Sequence, residues 1–168
     1  MERAPGWRLD VVGPVAPEDQ EWLAAWRAAS PAAERVFVHG RQTPVQSWQV
    51  AAGAWCGFAL LADTPAFRDA MPSKVLEYLA AGIPVVSSPL PRVAALLEAS
   101  GGGVVVTDPD QASATLRRWT EAPELVHRHR HAALDWAAEN LTGASPYDAM
   151  ADELVLLAGS GRAKREKT

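Results

Sequence analysis

Five short apolar runs set the frame of this chain: RLDVVG (8–13), RVFVHG (35–40), FALLAD (58–63), PVVSS (84–88) and GVVVTD (103–108). Each is nearly continuous in Val, Leu, Ile or Phe instead of alternating with polar residues. A strand with one wet face alternates. A strand covered on both faces does not, and such strands belong to parallel sheets. Parallel neighbours cannot be joined by a tight turn, so each pair needs a crossover, normally a helix. The intervening sequence supplies candidates. PEDQEWLAAWRAAS (17–30) opens with acidic residues, which suit the positive end of a helix dipole, and sets Trp22 and Trp26 four apart on one face. VQSWQVAAGAW (45–55) and RVAALLEAS (92–100) are further helices by the same reading. Alternating units of this kind predict an α/β fold: a Rossmann-like, doubly wound parallel sheet of about five strands with right-handed crossovers.

Beyond residue 108 the pattern becomes helical only. QASATLRRWTEA (111–122), ELVHRHRHAALDWAAENL (124–141) and PYDAMADELVLLAG (146–159) predict C-terminal helices. SGRAKREKT (160–168) reads as a disordered basic tail. With 168 residues, 48% of them apolar, residues 1–159 form one domain able to bury a full core. The net charge of −4 argues against a nucleic-acid platform, which needs a basic face. The lone Cys56 excludes an internal disulfide. No apolar run approaches the ~20 residues that span a bilayer. The expected location is cytoplasmic, either free or peripheral to a membrane.

The chemistry concentrates in MPSKVLEYLAAGIPVV (71–86). Pro72 suits the first position of a helix. The backbone N–H groups just after it lack intrahelical partners, so a helix start beyond a strand is a ready anion site. Ser73 adds a hydroxyl and Lys74 a mobile positive charge. Val75, Leu76, Leu79 and Ala80 form the stripe that packs on the sheet. Glu77 lies one turn past the helix start, where its carboxylate can accept from a sugar diol. Gly82 suits a left-handed helix stop, with Pro84 and a strand following. On an ordinary helix a Lys and a Glu three apart are a solvated pair worth a few tenths of a kcal/mol. Order and context favour the sharper reading here.

Other features read as structure. HRHRH (127–131) sets His127 and His131 on one helical face, but no third metal ligand accompanies them. GGG (101–103) precedes a strand and reads as a tight turn. Asp108 and Asp110 read as helix caps. Cys56 reads as a small buried residue, and the seven tryptophans as core or interface. Val155, Leu156 and Leu157 form a candidate exposed patch.

PSKVLEYLAAGIPVVSS (72–88) resembles the donor-nucleotide segment of retaining glycosyltransferases of the GT-B fold (group 1, family 4-like). RLDVVGP, RVFVHGR and ASGGGVVVTDPD resemble the second, third and sixth strands of their C-terminal domains, so the likeness runs over roughly residues 8–140. It implies transfer of a glycosyl group from a nucleoside diphosphate sugar to an acceptor, with retention and without a metal or other cofactor. It implies that Glu77 binds the donor ribose and that Ser73 and Lys74 contact the diphosphate. His39, Gly40 and Arg41 would border the base. Asp69 stands where many members carry a glutamate facing the donor sugar, and it is the implied catalytic position. The family's opening strand, with its Gly-Arg end and following lysine, has no counterpart, nor has the acceptor domain. The expectation is a truncated, donor-binding half that is incomplete alone and completed by a missing N-terminal domain or a partner chain. If it folds alone, strands 8–13 and 58–63 should pair directly; if they cannot, its stability should be marginal. The alternative is a non-catalytic α/β interaction module derived from such a domain. A flavodoxin-like receiver would need an acidic cluster at strand ends, which is not visible.

Overall fold

The structure, a computed structural model, describes residues 6–141. It contains strands β1 (Leu9–Val11), β2 (Val36–Val38), β3 (Gly57–Ala59), β4 (Val85–Ser87) and β5 (Gly103–Val105). The helices are α1 (Gln20–Ala29), α2 (Pro44–Ala51), α3 (Ser73–Ala80), α4 (Pro91–Ser100), α5 (Pro109–Glu121) and α6 (Pro123–Asn140). Four strands lie within the apolar runs and β3 overlaps the run 58–63, starting one residue before it at Gly57; each is only three residues long. The expected helix at 146–159, its patch at Val155–Leu157 and the basic tail lie outside the described residues.

All strand pairs are parallel, as the apolar runs predict. They form two sheets instead of one: β1–β2, and β3–β4–β5. The expected direct pairing of β1 with β3 does not occur. β1 takes its ladder from β2 and β3 from β4, and the two meet through side chains that precede them. Trp7 lies edge-on to Trp55 with ring centroids 5.6 Å apart, and its indole N–H donates to Thr120 Oγ1 at 2.8 Å.

The core gathers on both faces of the three-stranded sheet. On one side Val75 and Leu79 of α3, Val93 and Leu97 of α4 and Ala133 of α6 pack on Ala59 and Val85. On the other, Leu116 and Trp119 of α5 and Val126 of α6 pack on Val86 and Val106. β4 is buried throughout, as expected of a strand covered on both sides. β1 departs from that expectation: none of its residues is buried, and neither α1 nor α2 buries a residue. The tryptophans divide accordingly. Trp119 is 2% exposed and belongs to the core, whereas Trp22 is 66% exposed and stacks on Trp26.

Two glycines make the sheet possible. A Cβ on Gly103 would come within 2.2 Å of the Val85 carbonyl oxygen, and one on Gly102 within 2.3 Å of Leu79. The GGG run is therefore a turn where backbones approach closely. Asp108 caps α5, accepting from the Gln111 N–H at 2.8 Å.

Candidate functional site

β3 delivers the chain to the carboxyl rim of its sheet, and residues 60–72 cross that rim to α3. The crossing is held at several points. Ser88 Oγ accepts from the Leu61 N–H and donates to the Leu61 carbonyl. Fully buried Ser87 donates to the Ala59 carbonyl, which satisfies an otherwise costly buried hydroxyl. Arg68 forms a bidentate pair with Asp63 at 2.9 and 3.1 Å and holds that carboxyl below its usual pKa. Arg92 Nη1, at the start of α4, donates to the Asp69 carbonyl.

The segment ends at a helix start with no side-chain cap. Pro72 is the residue before the helix, not its first turn, and its carbonyl accepts from the Val75 N–H. Ser73 supplies the first helical position instead. Among the described residues, no hydrogen bond engages the N–H groups of Ser73 and Lys74. The side chains of Ser73, Lys74 and Glu77 are all exposed on this helix. Val75 and Leu79 face the core, whereas Ala80, expected in that stripe, is exposed. The helix closes as its sequence predicts. Gly82 has φ +63°; its N–H donates to Leu79 and that of Ile83 to Tyr78, a Schellman arrangement. Half-buried Tyr78 covers Gly57 and has a raised pKa, first from burial and then from Glu77. Burial pushes the Cys56 thiol up to about 12, which leaves it inert as a nucleophile.

The residues expected around the base sit on the other sheet. Gly40 has φ +68° and bridges to Gly13, whose N–H donates to the Gly40 carbonyl at 2.8 Å. His39 Nε2 is 2.7 Å from Asp10 Oδ1. Arg41 is exposed. Among the described residues, no hydrogen bond or ion pair links His39, Gly40 or Arg41 to Ser73, Lys74 or Glu77. Asp69 is exposed at the end of the rim segment.

Sequence reasoning missed Asp10. It receives both guanidinium nitrogens of Arg8, at 2.9 and 2.7 Å, and meets His39 on its other side. Arg8 first, and His39 after it, hold the carboxyl below its usual pKa. The signal was present: a charge pair two apart on one face of an otherwise apolar run. Also unforeseen is an open cleft of about 1260 Å³ between β1, β2, α1 and the start of α5, bordered by Leu23, Trp26, Val11, Val38 and Asp108. Among the described residues, no three His, Cys, Asp or Glu side chains come together as a metal site.

A parallel sheet with a bare, exposed helix tip at its carboxyl rim is the anion-binding arrangement of Rossmann-type α/β domains. The chain belongs to the family of glycosyl transferases group 1, whose sequence profile matches residues 1–121. Among solved structures it is similar to that of WaaG, a glycosyltransferase involved in lipopolysaccharide biosynthesis, with a TM-score of 0.60 and 22% identity. That match covers 84% of this chain and 36% of WaaG, so the chain spans about a third of that protein's length. At this identity the likeness is one of fold. No curated protein matches the sequence.

Proposed function

We propose that this chain is the donor-binding part of a glycosyltransferase that uses a nucleoside diphosphate sugar. One observation carries the reading: the uncapped start of α3, with Lys74 beside it and Glu77 one turn on, all open to solvent. A departing diphosphate gains charge as the glycosyl bond breaks. Fixed amides at Ser73 and Lys74, the Ser73 hydroxyl and the Lys74 ammonium would stabilise that charge with little reorganisation. Glu77 would accept two hydrogen bonds from the ribose diol, and Asp69 would face the sugar. His39, Gly40 and Arg41 would border the base only if the two sheets act together. The proposed chemistry is retaining and uses no metal or cofactor.

The same reading holds that the site is incomplete in this segment. Among the described residues β1 pairs only with β2, and β3 only with β4. Another stretch of polypeptide, upstream in the same gene product or on a separate chain, would supply the central strand and the acceptor half. Glycosyl transfer by this segment alone should be negligible. Among the described residues no helix is long and apolar enough to cross a membrane. The working location is cytoplasmic, free or peripheral to a membrane.

Calorimetry of the folded chain with UDP, GDP and ADP tests the reading. Binding of at least one nucleotide, weakened by Lys74→Ala, is expected. A folded chain that binds none of them sinks it. The open edges favour a second reading, a non-catalytic interaction module. Size-exclusion with light scattering against candidate partners separates the two: that module forms a stable complex and ignores nucleotides.

A further inference from the structure

At the opposite end of the sheet from the α3 tip, where β5 begins, α5 and α6 enclose a groove of about 580 Å³. Val104, Leu125 and the edge of Trp119 form its apolar floor, and Arg118, Arg128 and His129 stand around it. Helical spacing puts them there. Arg118 precedes buried Trp119 by one residue on α5, and Arg128 and His129 follow Val126 on α6, so each projects beside the contact that fixes its helix. His129 Nδ1 is 2.7 Å from the Gly101 carbonyl, which can only accept, so Nδ1 carries the proton. The ring also packs against Trp119 at 5.6 Å, so it is held at two points. Its Nε2 is left for a ligand.

Among the described residues neither Arg118 nor Arg128 is paired with a carboxylate. Glu121 and Glu124, on the same two helices, do not line the groove. Two exposed arginines and an oriented imidazole therefore border an apolar floor, on a chain whose net charge is −4. The volume is that of a small-molecule site. Two neighbouring positive charges match a dianion, and planar guanidinium forks match the terminal oxygens of a phosphate. The floor matches an apolar body attached to it. We propose that this groove binds a small phosphate monoester carried on an aromatic or alkyl group, at a site separate from the α3 tip.

The test uses amide NMR of the full chain, titrated with phenyl phosphate and, separately, inorganic phosphate. Phenyl phosphate should shift Val104, Thr115, Leu125 and Ala132 saturably and bind at least about five-fold more tightly than inorganic phosphate. Arg118→Gln and Arg128→Gln should each weaken it about ten-fold, the factor equivalent to ~1.4 kcal/mol. No saturable shift at those amides overturns the proposal, as does equal affinity for the two phosphates or indifference to both substitutions. A parallel arm sediments the chain with phosphatidylcholine vesicles with and without phosphatidic acid. Capture by the acidic vesicles without phenyl phosphate binding also overturns it, because the ligand would then be a membrane surface. Should a variant fail to fold, the comparison of the two phosphates on the unaltered chain still decides. Shifts at Ser73–Glu77 report the α3 tip, so failure at one site is distinguishable from failure at the other.

Discussion

Exposed side chains can be removed without disturbing the core, and this makes Lys74 and Glu77 good tests. Both lie on the open face of α3, so Lys74→Ala and Glu77→Gln should change stability by less than about 0.5 kcal/mol. Each should weaken nucleoside diphosphate binding by about ten-fold or more, since a charge-assisted hydrogen bond is worth about 1.5 kcal/mol or more. Calorimetry of nucleotide binding beside urea denaturation of the same variants reads both effects. Asp10 behaves differently. Its folded pKa lies below its unfolded value near 3.8, chiefly through Arg8. Its contribution to stability is therefore complete above that value and is lost as pH falls through the lower, folded one. Asp10→Asn should cost about 0.5–1 kcal/mol at pH 7, the scale of a partly exposed pair. It should also flatten the acid limb of a stability-versus-pH curve. Gly103→Ala should be the harshest of these changes, because its methyl meets the Val85 backbone, which cannot swing aside. Overpacking of this kind costs about 1–3 kcal/mol, visible as a lowered urea midpoint.

At the scale of elements, the helix signals were the most legible. Asp108 caps α5 and Gly82 stops α3, as read, each a local device that needs no distant partner; the capping box of Thr43 and Gln46 was overlooked, and α2 runs over Pro44–Ala51 instead of 45–55. Asp108→Ala should accordingly cost about 1 kcal/mol, with the loss seen as fraying of α5 in hydrogen exchange. The strands were legible as positions but not as partners. Five apolar runs show where strands form, yet which strand lies beside which depends on partners distant in sequence, such as Leu9 opposite Val36, that no local pattern joins. Burial was legible for β4 and misleading for β1. Val11 and Val12 look like core residues in the sequence, but among the described residues no element covers them. The α3 tip could be read because Ser73, Lys74 and Glu77 are close in sequence. The Arg8–Asp10 pair could be read in the same way, but its meeting with His39 could not, because that requires β1 and β2 to pair first.

At the scale of the whole molecule, stability is uneven. The buried residues of β4, α3 and α5 lie around the three-stranded sheet, while β1, α1 and α2 contribute almost none. Local opening follows local burial. Amide exchange should therefore be slowest at Val85 and Val86 and faster by two or more orders of magnitude at Asp10 and through α1. Uniform protection across both sheets would contradict that. Trp119→Ala, at the centre of one core face, should cost about 3–5 kcal/mol in thermal or urea unfolding. Trp7→Ala should instead loosen the two-stranded sheet and leave the protection of Val85 nearly unchanged.

The bare flanks of β1 and β3 bear on how the chain behaves in a tube. A strand margin without a ladder partner among the described residues, next to exposed Val11, Val12 and Leu60, is a template for like strands from other molecules. Concentrated solutions should turn cloudy on standing and bind thioflavin T, and dilution or a lysine at Val12 should keep them clear.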